Sequence, residues 1–266
     1  MGGFSSQYRP VVEQLATRWV GHPTELFDSI DSTNRYLKQV VERGSASPGQ
    51  AVWADQQVEG RGRRDRSWWS PPGLNIYTSV AVVLPDDRTP SLVSLLAGVA
   101  LVNAVNELSH ASVAALKWPN DCVIEGYKFA GVLVEAVPLD RLWAVIGMGI
   151  NVNQPPHPEF PHALSLKEAL GRSFDRGTLW EHLMRSLEEA FDSWRREGDA
   201  WVLDQWTRRS ATLGQDVAII EPGRPVWFGF AERVDADGGL WVRRDGVPVK
   251  IMAGDVSVRR PDGSYS

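Results

Sequence analysis

The chain has 266 residues and a formal net charge of −5, and 43% of its residues are hydrophobic. This length allows one domain, or a large domain with a small one beside it. An acidic chain is a poor candidate for a protein whose main partner is nucleic acid. Its one cysteine, Cys122, excludes an intramolecular disulfide, which fits a reducing cytosol. The N-terminus lacks a signal-peptide pattern, and we find no apolar run of about eighteen residues, so we expect a cytoplasmic protein without a membrane partner.

Strands and helices alternate over the first two thirds of the chain. Residues 1–24 are predicted to be an N-terminal extension, because Val11 to Val20 is only weakly amphipathic. Good helix-capping residues at Asp31–Asn34 precede apolar residues at helical spacing, so they cap a helix or offer hydrogen bonds to a ligand there. The segment from Leu92 to Leu108 is almost wholly apolar and predicts a buried helix. Strands are predicted at Leu26–Ile30, Gln50–Ala54, Leu74–Val83, Ala115–Trp118, Phe129–Val137 and Trp143–Asn151.

The last third of the chain contains an amphipathic helix followed by short β-rich runs. Thr178 and Glu181 have the spacing of a capping box and predict the start of an amphipathic helix whose polar side includes Glu188. After Gly214, short β-rich runs alternate with turn dipeptides such as Asp245-Gly246, which is typical of hairpins. We therefore predict an α/β (α+β) domain over residues 1–212, with a mixed sheet flanked by helices, and a small β-barrel over residues 213–266.

One segment, Gly60–Trp68, combines features that suit an anionic ligand, and we call it the arginine loop. Four of the seven residues from Gly60 to Arg66 are arginine, and two of these directly follow glycine. Glycine lets a backbone approach a ligand closely, and guanidinium groups donate forked hydrogen bonds to carboxylate and phosphate oxygens. The indole of Trp68 offers a flat face for a base. The alternative is a solvated basic loop, which the residues alone do not exclude.

Three further clusters lie at the ends of predicted strands. Asn120 and Asp121 stand side by side in a loop, where they close an Asx-type turn or bind Mg²⁺. Lys128 enters an apolar strand and can act as a point charge for phosphate or carboxylate, while Gly131 in that strand indicates a close backbone approach. The Gly-x-Gly pattern in Gly147–Asn151 is weaker.

Together these residues point to chemistry on a carboxylate and a nucleotide. Arginines and a lysine can neutralise two anionic groups, and an aromatic face can stack a purine. The sequence has no histidine spacing typical of a metal site, no nucleophile elbow and no Walker A motif. A carboxylate could then attack the α-phosphate of ATP in line, with catalysis by positioning and charge stabilisation.

Five motifs follow one another between about residues 25 and 155: Ser32-Thr33-Asn34, Gln57 with the arginine loop, Lys117–Asp121, Lys128–Glu135 and Gly147–Asn151. In this order they resemble the biotin protein ligase family. The resemblance implies the biotin–lipoate ligase fold, which is like class II aminoacyl-tRNA synthetases, and an SH3-like barrel with an end similar to residues 253–259. It also implies that biotin and MgATP give biotinyl-5′-AMP and pyrophosphate. A lysine of a biotin carboxyl carrier protein or domain would then attack this mixed anhydride.

The resemblance also implies a role for individual residues, carried over motif by motif. The catalytic charges would be Lys128, the first choice, and Arg63. The biotin pocket and its covering loop would comprise Ser32, Thr33, Asn34, Gln57, Gly60, Arg61, Gly62, Arg63, Lys128, Gly131 and Gly147. The nucleotide would be held by Arg66, Trp68, Asn120 and Asn151, and the metal by Asp121. The covering loop would order over the adenylate and seal it from water.

Two departures from the family pattern affect these expectations. Asp65 stands where the family usually has glycine, which places a negative charge among the arginines, although aspartate tolerates positive φ better than most residues. About thirty residues precede Ser32, too few for the winged helix that binds DNA in some relatives. We therefore expect no DNA binding, and either a monomer or a homodimer. The alternatives are a lipoate-type ligase of similar architecture, and a non-catalytic module that binds nucleotide or nucleic acid.

Overall fold

The computed structural model describes residues 3–220, 223, 225–252 and 257–259 of the chain. The side chains of Asp65 and of residues 257–259 lie outside this description. The prediction that Asp65 places a negative charge among the arginines therefore concerns a side chain that the structure does not describe. Residues 253–256, part of the stretch that is similar to the end of the family's barrel, and the predicted barrel after residue 259 also lie outside the described residues.

A seven-stranded mixed sheet forms the centre of the molecule, in the order β1-β2-β3-β7-β6-β5-β4. β1 and β2 pair in parallel and the other neighbours pair antiparallel, so the predicted mixed sheet is confirmed. All residues of β3 are buried, because this central strand is covered on both faces. The strands are β1 (Thr24–Phe27), β2 (Ala51–Ala54), β3 (Ile76–Val83), β4 (Ala114–Lys117), β5 (Asp121–Ile124), β6 (Tyr127–Pro138) and β7 (Leu142–Ile150).

Helices cover both faces of this sheet. The helices are α1 (Phe4–Glu13), α2 (Thr33–Glu42), α3 (Leu92–Ser109), α4 (Leu166–Leu170), α5 (Arg176–Glu197) and α6 (Asp199–Arg208). The larger core lies between the sheet, α3 and α5, where the indoles of Trp53 and Trp180 stack with their centroids 5.0 Å apart. A smaller core on the other face contains Leu37 and Val41 of α2. This smaller core holds the start of α2 against the sheet.

The C-terminal part forms a second, antiparallel sheet in the order β11-β10-β9-β8-β12, consistent with the predicted SH3-like barrel. Its strands are β8 (Asp216–Ile220), β9 (Trp227–Val234), β10 (Leu240–Arg244), β11 (Val247–Ile251) and β12 (Ser257–Arg259). Among the described residues, hydrogen bonds to Asp237 and Gly238 join it to the large sheet's domain. The Trp118 indole N–H donates to the Gly238 carbonyl at 3.0 Å, and the Ser91 hydroxyl donates to the Asp237 carbonyl at 2.5 Å.

The first residues of the chain differ from the prediction. A helix that was not predicted spans Phe4–Glu13. The rings of Phe4 and Tyr8 are buried and lie 5.1 and 4.5 Å from the ring of Trp53. These aromatic contacts bury α1 against β2, so this part of the predicted N-terminal extension packs into the core of the large domain.

Two further details of the helices correct the prediction. Helix α5 begins at Arg176, and its N-cap is Asp175, whose carboxylate accepts a hydrogen bond from the Thr178 N–H at 2.7 Å. The expected Thr178 capping box is therefore wrong. Helix α3 does reach the length and apolar composition of a membrane span, contrary to our reading of the sequence, but 67% of that window is buried inside the protein.

Glu188 is buried and does not lie on a polar face as predicted. Its carboxylate accepts hydrogen bonds from the backbone N–H groups of Arg18, Trp19 and Val20, at 2.8 to 3.2 Å. Burial raises the pKa of Glu188, but these N–H donors outweigh it, so the pKa lies below its ordinary value of 4.5. The ionised carboxylate thus holds the segment before β1 on α5.

We expect Glu188→Gln to lower the free energy of unfolding by about 2 kcal/mol at neutral pH, because an amide cannot accept all three N–H bonds as a carboxylate does. The folded pKa of Glu188 is depressed, so its contribution is present above the unfolded pKa and is lost as pH falls through the folded pKa. Urea unfolding at pH values from 7 to 3 should show that the difference in free energy of unfolding between the wild type and Glu188→Gln becomes smaller as the pH falls. Glu189→Gln, at the exposed neighbouring position, is the control; an equal effect of both substitutions would contradict the assignment.

Candidate active site

The arginine loop folds back on itself beside the sheet. The Trp68 N–H donates to the Gly60 carbonyl at 2.8 Å, and the Gly62 N–H donates to the Arg66 carbonyl at 2.7 Å. A Cβ at Gly60 would lie 2.4 Å from the Trp68 carbonyl oxygen, so only glycine fits there. The positive φ of this turn falls on Arg64, at 57°. The loop therefore has a defined shape that its glycines permit.

A hydrogen bond ties the arginine loop to the far side of the site. Arg63 donates from Nη1 to Oδ1 of Asn120 at 2.8 Å. The Asn120 amide nitrogen in turn donates to the Val132 carbonyl at 2.7 Å, so Asn120 is itself fixed on β6. The loop thus closes over the ends of β4, β5 and β6.

Glycines of β6 and β7 form a flat floor under this loop. A Cβ at Gly149 would lie 2.5 Å from Cε2 of the Trp68 indole, and one at Gly131 would lie 3.2 Å from Cζ3 of the same ring. A Cβ at Gly147 would lie 2.8 Å from Oδ1 of Asn34. Because any larger residue would push these side chains away, the glycines set the depth of the site.

Lys128 lies where the hairpin of β5 and β6 places it beside Asp121. Its ammonium is 2.5 Å from the Asp121 carboxylate and 5.0 Å from the centroid of the Trp68 ring. The turn of this hairpin has positive φ at Glu125 and Gly126, as two-residue hairpin turns require. The Lys128 side chain is 22% exposed, so its charge remains accessible to a ligand from the cavity.

Polar side chains line the opposite end of the site, at the start of α2. The Gln57 side-chain carbonyl accepts from the N–H and the hydroxyl of Thr33, at 2.9 and 3.1 Å. The Gln57 amide donates to the Ser70 hydroxyl at 3.1 Å, and Ser79 donates to the Thr33 hydroxyl at 2.9 Å. Ser32 caps α2 by accepting from the Arg35 N–H at 3.5 Å. The tripeptide Ser32-Thr33-Asn34 thus both caps α2 and lines the cavity.

One cavity of about 310 Å³ joins these parts, which is in the size range of small-ligand sites. All but one of the sequence-predicted site residues line it, and Gly60 is the exception. The predicted residues that line it are Ser32, Thr33, Asn34, Gln57, Arg61, Gly62, Arg63, Arg66, Trp68, Asn120, Asp121, Lys128, Gly131, Gly147 and Asn151. Residues that are about 90 positions apart in sequence, such as Gln57 and Gly147, therefore meet around one space.

Comparison with known proteins gives the family. The profile of the biotin/lipoate A/B protein ligase family matches residues 26–153, and that of the biotin protein ligase C terminal domain matches residues 212–259. The bifunctional ligase/repressor BirA of Escherichia coli is 32% identical over 253 residues, which are 93% of this chain and 77% of that protein. A biotin--[acetyl-CoA-carboxylase] ligase of Mycobacterium tuberculosis is 34% identical over 85% of each chain.

The chain belongs to the biotin protein ligase family. A solved structure of the biotin protein ligase from Aquifex aeolicus, in complex with biotin and ATP, superposes with a TM-score of 0.78 at 28% identity and covers 89% of this chain and 98% of that one. The fold and the ligase class expected from the motifs are confirmed. A lipoate-type ligase has less support, because the C-terminal match is to a domain of biotin ligases.

The site of this biotin protein ligase contains features that the sequence did not reveal. Gly149 lies under Trp68 but had no role in the prediction. The rings of Trp69 and His157 are 4.5 Å apart, and Phe160 packs on both. Phe160 also lines the cavity. The loop that carries His157 and Phe160 is rich in proline and lacks periodicity, so only the Trp68-Trp69 pair hinted at an aromatic wall.

The donor set fits a magnesium ion that arrives with ATP. Within the described part of the chain, no group of three His, Cys, Asp or Glu side chains could hold a metal ion unaided. Asp121 is the carboxylate among the cavity-lining residues. Mg²⁺ is usually held by one or two carboxylates together with phosphate oxygens. A cavity with one carboxylate suits a magnesium ion that is bound to the nucleotide, and it does not suit a structural metal.

Cys122, beside this carboxylate, has no nucleophilic role. It is fully buried, and burial followed by the adjacent charge of Asp121 raises the pKa of its thiol well above its ordinary value. A thiol that stays protonated is a poor nucleophile. Cys122 is therefore a buried core residue, and its thiol is poorly suited to act as a nucleophile.

Proposed function

We propose that this cavity joins biotin to the adenylyl group of MgATP and that the chain then transfers biotin to a lysine of a biotin carboxyl carrier protein or domain. One observation carries the proposal: Lys128 and the arginine loop direct cationic groups into the same cavity as a glycine floor and an uncharged polar end. Such a cavity suits a ligand with one polar, uncharged head and one anionic tail next to a phosphate. Biotin and ATP together have this pattern.

The roles of the residues follow from their places in the cavity. The polar end suits the ureido ring of biotin, and the glycine floor suits its fused rings and tail. The residues proposed for biotin are Ser32, Thr33, Asn34, Gln57, Arg61, Gly62, Arg63, Lys128, Gly131 and Gly147, and Gly60 is proposed as part of the covering loop that shapes this pocket without lining it. Those proposed for the nucleotide are Arg66, Trp68, Asn120 and Asn151, with Trp68 stacking on adenine.

In the first step, an oxygen of the biotin carboxylate attacks the α-phosphorus of ATP and pyrophosphate leaves. Lys128 would lie between the carboxylate and the phosphate, where its charge offsets their repulsion and stabilises the charge that builds up at the phosphorus. A magnesium ion held by Asp121 and phosphate oxygens would supply further charge neutralisation. Arg63 would hold the loop and contribute a second positive charge.

In the second step, the amine of the carrier lysine attacks the acyl carbon of biotinyl-5′-AMP and AMP leaves. Between the two steps the mixed anhydride must be protected from water. The hydrogen bond from Arg63 to Asn120 closes the arginine loop over the cavity, which supports a covering role. Opening at this contact would admit the carrier lysine.

We also propose the organisation of the whole chain. Residues 1–212 form the catalytic domain and residues 213–266 the small barrel, which would assist carrier binding. The acidic net charge of −5 supports the absence of DNA binding, and the ordinary composition supports a cytoplasmic protein without a membrane partner. A monomer or a homodimer is proposed alongside these.

The test is pyrophosphate release with biotin and MgATP, with and without a carrier domain, followed by a streptavidin blot of the carrier. We expect release that depends on biotin, and label on the carrier. Lipoate in place of biotin is the control and should give no comparable release. Release without label would contradict the transfer step, and no release at all would contradict the proposed function as a whole.

A further inference from the structure

Asn34 has a side chain that is held on one side and unpartnered on the other. Its amide nitrogen donates to Oε2 of Glu135 at 2.5 Å. Its oxygen, Oδ1, is buried and has no hydrogen-bond partner among the described residues. Asn34 is only 3% exposed, so water does not readily replace the missing donor. A buried acceptor without a donor is costly, and in a ligand pocket it indicates a group that the ligand supplies.

Glu135 fixes which way this amide faces. An ionised carboxylate only accepts hydrogen bonds, so the atom of Asn34 that faces it must be the amide nitrogen. The oxygen is then forced to the other side, toward Gly147 of the floor, where a Cβ would lie 2.8 Å away. Without a carboxylate at this position, either orientation of the amide would be allowed.

Lys38 supports this arrangement from the surface of α2. Its ammonium is 3.0 Å from Oε1 of Glu135, the oxygen that Asn34 does not use. Glu135 lies on β6 and does not line the cavity. It therefore acts on a ligand only through Asn34.

The unpartnered oxygen of Asn34, Oδ1, can accept a hydrogen bond from an N–H group of the ligand. Biotin has such donors in the two N–H groups of its ureido ring, whereas the dithiolane ring of lipoate has none. We infer that Glu135 is a positioning residue that directs Asn34 Oδ1 at a ureido N–H, and so makes the site select biotin over lipoate. This inference rests on the proposed function. A site with a buried acceptor rejects an analogue that lacks the matching donor, because the acceptor is left unpaired.

The test is Glu135→Gln. A glutamine at this position can accept or donate, so the Asn34 amide is free to turn its nitrogen toward the ligand. We expect the Kd of biotin, measured by calorimetry without ATP, and the KM of biotin to rise about 10- to 100-fold. The kcat of pyrophosphate release should change less than about threefold, since no charge near the phosphate is altered. The kcat/KM for lipoate should not fall relative to that of the wild-type protein.

Glu25→Gln is the matched control, because Glu25 also accepts a hydrogen bond from α2, from the Tyr36 hydroxyl at 2.7 Å, but does not line the cavity. It should leave biotin binding unchanged. Asn34→Ala should raise the biotin Kd by a similar factor, and the double variant with Glu135→Gln should be no worse than the worse single variant.

Additive effects, or a Glu135→Gln variant with unaltered biotin Kd, would overturn the inference. So would equal losses for biotin and lipoate, or a lower kcat and lower thermal stability with unchanged KM, which a merely structural role would produce. Wild-type protein that releases pyrophosphate with biotin establishes the activation step of the proposed function independently, so these results bear on Glu135 alone.

Discussion

Lys128→Met should reduce biotin-dependent pyrophosphate release by a factor of about 1,000, the largest loss that we expect from a single substitution in the cavity. The ammonium of Lys128 lies 2.5 Å from the Asp121 carboxylate. Its removal takes away the charge that would face the biotin carboxylate and the α-phosphate. It also leaves Asp121 without this cation, so the cavity repels two anionic substrates. Initial rates at saturating biotin and ATP measure the effect on kcat.

The controls separate this charge from general damage. Lys167→Met changes an exposed lysine of α4 outside the cavity and should retain the wild-type rate. In the absence of magnesium, the double variant Lys128→Met with Asp121→Asn should bind ATP better than Lys128→Met alone, because it removes the negative charge that repels the phosphates. A Lys128→Met enzyme with more than a tenth of the wild-type kcat would contradict the role of Lys128.

The site could be predicted largely from sequence because its residues stand in short, contiguous motifs. Gly60–Trp68 and Lys128–Gly131 carry their chemistry in residue type and spacing, and the fold brings them together around one cavity. Gly60 shows the limit of this approach. It belongs to the motif, but its task is to let the Trp68 carbonyl approach and not to contact the cavity.

The parts that the sequence did not reveal depend on contacts between distant segments. Glu188 looked like a solvent-facing residue of an amphipathic helix, yet three N–H groups some 170 positions away bury it. Strand β5 is four residues long and includes Asp121, which looked like a loop residue. The pairing of Asn34 with Glu135, 101 positions apart, is of the same kind. Local patterns contain no information on such partners.

Burial also accounts for much of the unusual tryptophan content. Of the twelve tryptophans, Trp53, Trp118, Trp180, Trp194 and Trp206 are among the largest fully buried side chains. Trp118 donates its indole N–H to the second sheet, and Trp194 donates to Asp199 at 2.7 Å. These indoles fill the core and join its layers, so they need no external partner. Composition alone could not distinguish this use from an aromatic surface.

Gly149→Val should lower kcat/KM for biotin activation about 100-fold or more while the fold is retained. The first carbon of the new side chain would lie 2.5 to 2.9 Å from three atoms of the Trp68 indole, so the ring must leave the floor. That movement shifts the proposed adenine platform and disturbs the ring beside Lys128, whose ammonium is 5.0 Å from its centroid. Pyrophosphate release as a function of ATP and biotin concentration measures the loss.

The steric origin of this effect can be separated from a weakened sheet. Ala136→Val adds similar bulk at an exposed position of β6 and should leave activity and the unfolding midpoint unchanged. If the clash with Trp68 is the cause, Gly149→Ala combined with Trp68→Phe should be no less active than Gly149→Ala alone, because the smaller ring fits above the new methyl group. Loss of activity in proportion to thermal stability across these variants would instead place the role of Gly149 in folding, and the floor would then tolerate a side chain.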